Sequence, residues 1–158
     1  MKKFFMVACL ILAGAFVSVC AGYGFKTALA AGYSDDQAMN TMRSKIKNVL
    51  NQNLKWWSHR ESDWTLCAAS ECYLTTSGIV YTIMRKPGKV FSTWIITQVD
   101  LNSKSFRMVE GYVWSVVDYS VAKMEDSKIS KNWRTESIFK DYCDYLQSNY
   151  QQINGVAK

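Results

Sequence analysis

Residues 79–99 read IVYTIMRKPGKVFSTWIITQV, with a Lys-Pro-Gly-Lys turn between two runs rich in β-branched and aromatic residues. Such runs favour extended strands, and Pro followed by Gly favours a type II turn in which the Gly has a positive φ. Because the connection is too short for a parallel crossover, the two strands are expected to pair as an antiparallel hairpin. This stretch therefore indicates an antiparallel sheet and argues against a parallel βαβ arrangement.

Further strands are expected on both sides of this hairpin. Residues 64–67 and 72–76 are predicted to form a second hairpin, and residues 106–119 a long strand in which Gly111 is a bulge or bend. Alternation along the long strand places Phe106 and Tyr112 on the same face.

A helix is predicted at each end of the strand series. Ser34 followed by Gln37 is typical of a capping box, and apolar residues then recur at helical spacing, which predicts a helix from 35 to about 54. The same spacing predicts a helix from about 136 to 149. We therefore predict the α+β class: an antiparallel β-meander of about five strands, covered on one face by an N-terminal and a C-terminal helix.

The N-terminal stretch has the pattern of a bacterial-type signal peptide at residues 1–30. A positive start at Lys2-Lys3 precedes the apolar run Phe4–Ala21, and Ala28-Leu29-Ala30 offers small residues for cleavage. Cleavage is expected after Ala30, or after Ala21, leaving a single α+β domain over residues 31–158. The expected location is periplasmic, outer-surface or secreted.

Two alternatives for this leader stay open. The apolar run approaches the length of a membrane span, so an uncleaved leader would anchor the chain. The stretch Val17–Cys20 has some likeness to a lipobox, which would make the chain a lipoprotein.

Composition limits the class of partner. Hydrophobic residues make up 49% of the chain, which is enough for a packed core. Without the leader, which holds three lysines and no acid, the formal charge falls from +6 to +3. This charge is too low for a typical nucleic-acid binder. We expect a protein partner, on a host surface or in the periplasm, with no nucleic acid, and contact with a membrane only if the leader stays uncleaved.

Residues with catalytic or metal-binding chemistry are few. His59 is the only histidine, so a zinc site with several imidazoles is excluded, and neither a metal nor a cofactor is expected. The second hairpin would place Cys67 opposite Cys72, which predicts a disulfide in an exported protein. Glu110 is the one acid inside a predicted strand, and an unrecognised periplasmic enzyme is kept as an alternative function.

The preferred function is non-enzymatic binding through an exposed aromatic and basic surface. One candidate surface contains Trp56, Trp57, His59 and Arg60, and the other is the hairpin tip from Arg85 to Lys89. Aromatic and basic side chains of this kind are common in protein recognition.

The stretch from Cys72 to Cys143 resembles the surface-adhesin protein E type of small exported bacterial proteins. The resemblance rests on a strand break at Thr76–Ile79, a strand with a central Trp at Val90–Trp94, and the closing series Trp133, Ser137 and Cys143. It implies a non-catalytic binding domain of adhesin-like character, in the best-known case a binder of host matrix proteins. The family's middle-strand Cys has no counterpart here, so the resemblance implies that Cys143 pairs with Cys67 or Cys72.

A second resemblance involves Ser77-Gly78-Ile79-Val80-Tyr81, which is similar to the S-G-x-x-Y loop of periplasmic lysozyme inhibitors. This likeness implies that Ser77 and Tyr81 reach the catalytic carboxylates of a lysozyme from a protruding loop. Lysozyme inhibition is therefore an alternative function.

Overall fold

A computed structural model describes residues 32–48 and 53–157 of the chain. The predicted signal peptide and both cleavage sites lie outside these residues. The described chain forms one seven-stranded sheet between two helices, which confirms the α+β class with an N-terminal and a C-terminal helix. Neither of these helices is long and apolar enough to cross a lipid bilayer.

All strand pairs in this sheet are antiparallel, in the order β1-β2-β4-β5-β6-β7, with β3 also paired to β4. The elements are α1 (Asp35–Lys47), β1 (Trp56–Ser58), β2 (Thr65–Cys67), β3 (Tyr73–Leu74), β4 (Ile79–Lys86), β5 (Phe91–Asp100), β6 (Ser105–Ser115), β7 (Val121–Lys123) and α2 (Ser137–Ser148).

The β4–β5 hairpin forms as predicted, but its turn is not of the predicted type. Gly78 and Gly155 are the glycines with positive φ in the described chain, so Gly88 does not have the conformation of a type II turn. Gly88 is required for a different reason: a Cβ there would lie 2.1 Å from the Phe91 carbonyl oxygen. The close approach of the backbone, rather than its handedness, excludes a side chain.

The bulge in the β5–β6 pair lies at Val109, not at Gly111. Ile96 pairs with Glu110 while Thr97 pairs with Met108, so Val109 is the extra residue. The bulge reverses the alternation along β6. Phe106 and Tyr112 therefore lie on opposite faces, and the prediction that they share one face is wrong.

The two helices pack on opposite faces of the sheet, which corrects the expectation that both cover one face. Glu110 bonds to Arg43 of α1 and pairs with Ile96, whereas Phe106 stacks on Phe139 of α2 and pairs with Val99. Positions 96 and 99 are an odd number apart on β5 and so point to opposite faces. Both faces are covered, and the whole run Trp94–Val99 is buried.

Helix α1 begins as predicted and ends early. Ser34 Oγ accepts from the Gln37 N–H at 3.1 Å, and Gln37 Oε1 accepts from the Ser34 N–H at 2.9 Å, which confirms the capping box. The helix ends at Lys47 with Asn48 as its C-cap, so the predicted extension to about 54 is wrong. Leu54 is buried outside the helix.

The second predicted hairpin does not form. Strand β2 pairs with β1 and β4, and β3 pairs with β4, so Cys67 lies opposite Trp56 rather than Cys72. The chain between the two cysteines forms a 3₁₀ turn at Ala69–Glu71. In the described residues Cys67, Cys72 and Cys143 are free, buried thiols. A disulfide after export stays a prediction, without the hairpin geometry on which it was based.

Candidate functional site

The most exposed apolar surface lies at one end of the sheet. Four large hydrophobic side chains there are at least 47% exposed: Val90, Phe91, Val117 and Tyr119. The two segments that carry them, the start of β5 and the loop after β6, lie side by side, because the Val116 N–H donates to the Val90 carbonyl at 2.8 Å. We refer to these four residues as the tip patch. Clustered exposed apolar side chains are typical of interaction sites.

The loop that carries Tyr119 is held in an unusual conformation. Tyr119 has a φ of 58°, which costs about 1–3 kcal/mol for an aromatic residue. Asp118 Oδ1 accepts from the backbone N–H of Ser120 at 3.1 Å and from its hydroxyl at 2.8 Å. Hydrogen bonds from Ser115 and Ser120 lower the pKa of Asp118 to about 2. The Asp118 carboxylate therefore stays ionised at neutral pH and keeps its hydrogen bonds within the turn. The turn holds the Tyr119 ring 60% exposed, with its centroid 6.0 Å from that of Trp114.

Lysines border the tip patch. Lys86, the last residue of β4, and Lys89 in the following turn are both exposed. The Lys86 ammonium lies 3.4 Å from the Asp63 carboxylate, and since both side chains are largely in solvent this pair contributes little to stability. The predicted Arg85–Lys89 tip is thus exposed from Lys86 onward and lies beside apolar residues that sequence reasoning did not include.

Arg85 and Trp56, two further predicted binding residues, stack on each other below this tip. The Arg85 guanidinium carbon lies 4.1 Å from the Trp56 ring centroid and 5.6 Å from that of Trp94. Burial lowers the pKa of Arg85. Both side chains are half-buried, so they support the end of the sheet more than they form its outer surface.

Trp57, His59 and Arg60 belong to a different surface. Trp57 packs on Tyr142 and Tyr145 of α2, so it lies on the opposite face from Trp56. His59 and Arg60 line an open polar hollow of about 430 Å³, the β1 hollow. The structure therefore separates the first predicted surface into two parts.

The β1 hollow brings Ser137, His59 and Asp141 together, but not as a hydrolytic triad. His59 Nε2 lies 2.9 Å from Asp141 Oδ2, and His59 Nδ1 accepts from the Glu61 N–H at 3.2 Å. Both ring nitrogens are engaged, so neither is available to take a proton from the Ser137 hydroxyl. Asp141 is 82 residues from His59 in the chain, and no local pattern indicated this contact.

Ser77 and Tyr81 are not presented together. Ser77 is exposed and its hydroxyl donates to Asp35 Oδ1 at 3.0 Å. Tyr81 is only 3% exposed and bonds to Gln98 inside the sheet. This arrangement does not match a loop that offers both side chains to a lysozyme.

Glu110 has the environment of a structural ion pair. Its carboxylate is 7% exposed, accepts from Arg43 Nη2 at 2.9 Å and from the Tyr112 hydroxyl, and lies 3.5 Å from Lys123 Nζ. Burial alone would raise the pKa of Glu110, but the hydrogen bonds from Arg43 and Tyr112 lower it to about 2. A carboxylate that stays ionised and fully paired is a poor general acid or base at neutral pH.

In the part of the chain that the structure describes, no three His, Cys, Asp or Glu side chains come together to hold a metal ion. The Cys/His cluster that such a site would need is not assembled there.

Comparison with known proteins finds no matching family model, no matching curated protein and no matching solved structure.

Sequence reasoning missed Val117 and Tyr119 because it extended the last long strand to residue 119. The signal was present in Asp118 and Ser120, since an Asp followed two residues later by a hydrogen-bonding partner favours a turn.

Proposed function

We propose that this chain is an exported, non-enzymatic binding protein of adhesin-like character, and that it binds another protein through the tip patch. This proposal rests on Val90, Phe91, Val117 and Tyr119, which are all at least 47% exposed on two segments joined at one end of the sheet by the Val116–Val90 backbone hydrogen bond. A monomer exposes such side chains singly as a rule, and a cluster of them favours a protein contact.

The chemistry of the patch favours a protein partner over a nucleic acid. The patch consists of two aromatic and two valine side chains, and the exposed Lys86 and Lys89 precede Val90 within four residues. An apolar centre with a polar rim is the usual arrangement of a protein interface. Asp118 places a negative charge in the same loop, which would repel a phosphate backbone.

The expected partner belongs to a host surface or to the periplasm. Binding of wild-type protein to a panel of purified extracellular-matrix proteins, measured by surface plasmon resonance, tests this proposal. Phe91→Ser removes a ring that is 60% exposed, and its loss should weaken binding about tenfold. Trp133→Ser is the matched control, because Trp133 is 41% exposed and lies outside the patch.

Equal affinities of wild type and Phe91→Ser for every partner bound by the wild type would contradict the proposal. Weaker binding by Trp133→Ser than by Phe91→Ser would place the contact on another surface.

Export is part of the same proposal and has its own test. Intact mass of the protein secreted or released from the periplasm distinguishes cleavage after Ala30 from cleavage after Ala21, and reveals any attached lipid. The same measurement with and without reductant, followed by alkylation, counts disulfides. A full-length mass in the cytosolic fraction, with every thiol reduced, would contradict export.

A further inference from the structure

A second feature of the molecule is an apolar cavity on the α2 face of the sheet, separate from the tip patch. It has a volume of about 250 Å³. Leu66 and Met84, which are register partners on β2 and β4, contribute to its wall together with Met108 of β6. Phe139 of α2 contributes from the opposite side. Three of these four side chains are at most 3% exposed: Leu66, Met84 and Phe139.

Arg134 is the cation at this cavity, and its backbone is fixed. Its N–H donates to the Phe106 carbonyl and its carbonyl accepts from the Phe106 N–H, both at 2.9 Å. The guanidinium carbon lies 4.8 Å from the centroid of the Phe106 ring. The side chain is therefore held beside the apolar wall rather than extended into solvent.

The donors of this guanidinium are poorly matched by acceptors. Arg134 Nη2 bonds to Met108 Sδ at 3.6 Å, and a thioether sulfur is a weak acceptor. Arg134 Nε is buried without a hydrogen-bond partner. Glu136 Oε1 lies 3.4 Å from that nitrogen without forming a hydrogen bond. A planar fork of donors beside an apolar cavity is suited to a carboxylate that arrives with an apolar body.

We propose that this cavity binds a small amphiphilic carboxylate, with its apolar body between Leu66, Met84 and Phe139 and its carboxylate on the guanidinium of Arg134. A dry cavity of about 150 Å³ is enough for benzene. The volume here, about 250 Å³, accommodates one aromatic ring with a short side chain or a medium-length alkyl chain. Bound carboxylate would replace Glu136, whose side chain is 49% exposed and free to turn to solvent.

Titration of the exported protein with octanoate, followed through the methyl resonances of Met84 and Met108, tests the site. Saturable shifts of both methyl groups are expected. A parallel titration with 3-phenylpropionate distinguishes an alkyl-chain ligand from an aromatic one, and 1-octanol reports the contribution of the carboxylate. Octanoate should bind at least about tenfold more tightly than 1-octanol, because a charge-assisted bidentate pair is lost in the alcohol.

Two substitutions should change the affinity for octanoate in opposite directions. Arg134→Gln should weaken it about tenfold and leave the affinity for 1-octanol unchanged. Glu136→Gln should strengthen it several-fold, because it removes the competing carboxylate. Arg60→Gln, an exposed arginine in the β1 hollow, is the matched control and should have no effect.

Three results would overturn the proposal, and the first needs no variant. They are the absence of saturable shifts at Met84 and Met108 with about 10 mM of either acid, equal affinities for octanoate and 1-octanol, and weaker octanoate binding by Glu136→Gln.

Discussion

The pairing of Glu110 with Arg43 ties α1 to β6, and its strength can be measured through Glu110→Gln. Gln has the shape and neutral charge of the protonated acid, so the substitution removes the ionic part of the contact and little else. Arg43 donates from Nε at 3.2 Å and 3.3 Å and from Nη2 at 2.9 Å. In the variant this guanidinium, and Lys123 at 3.5 Å, lose the charge they face.

The stability that ionised Glu110 contributes follows from its pKa, which falls from its ordinary 4.5 to about 2 in the folded protein. That difference corresponds to about 3 kcal/mol of stability at pH 7. Because the folded pKa is the lower one, the folded state binds fewer protons than the unfolded state between these two values. The contribution is complete above pH 4.5 and is lost as the pH falls through 2, with about half of it left at pH 3.

Urea denaturation of wild type and Glu110→Gln at pH 7 and pH 3 checks both the size and the sign. The gap in unfolding free energy should be about 3 kcal/mol at pH 7 and about half of that at pH 3. Glu125→Gln is the matched control, since Glu125 is 75% exposed beside Lys128 and should change stability by less than about 0.5 kcal/mol. A gap that stays constant, or widens, from pH 7 to pH 3 would refute this account of Glu110.

Three further predictions concern the core, the turn and the thiols. Tyr142→Phe should lower the free energy of unfolding by about 1–3 kcal/mol in urea titrations, because its buried hydroxyl bonds to a backbone carbonyl at 2.6 Å and to a threonine hydroxyl at 2.9 Å. Preserved stability would contradict these bonds. Gly88→Ala should lower the free energy of unfolding by about 1–3 kcal/mol and weaken partner binding, because its Cβ would lie 2.1 Å from the Phe91 carbonyl oxygen. Unchanged thermal unfolding and unchanged affinity would count against that contact. In the reduced protein the three described cysteines should react with a thiol reagent only in denaturant, because all three are buried and burial raises the pKa of each thiol. Rapid reaction of any of them under native conditions would contradict their placement.

Local patterns in the sequence identified most of the elements. The capping box at Ser34 and the Pro87-Gly88 turn depend on residues within a few positions of each other, and both features formed where they were predicted. The type of that turn was not predictable, because it depends on the approach of the Phe91 backbone to Gly88.

The pairing of strands that are distant in the chain could not be predicted from the sequence. The predicted partner of β2 was its neighbour in sequence, residues 72–76, whereas the structure pairs β2 with β1 and β4. A bulge at Val109 carries no residue-type signature, yet it reverses the faces of everything that follows it in β6. The prediction that Phe106 and Tyr112 share one face failed because of that single extra residue.

Only the part of the candidate site that depends on local sequence was predictable. The exposed Lys86 and Lys89 follow from a hairpin turn, which local sequence specifies. The neighbouring Val117 and Tyr119 lie there because β6 returns beside β5, and only the register brings the two loops together.

Hydrogen–deuterium exchange of the complex with a bound matrix protein locates the contact surface without altering the chain. If the tip patch is the binding surface, exchange slows on binding in residues 86–91 and 115–121 and stays unchanged at the β1 hollow. Protection confined to residues 56–61 and 137–141, with none at the tip patch, would contradict it.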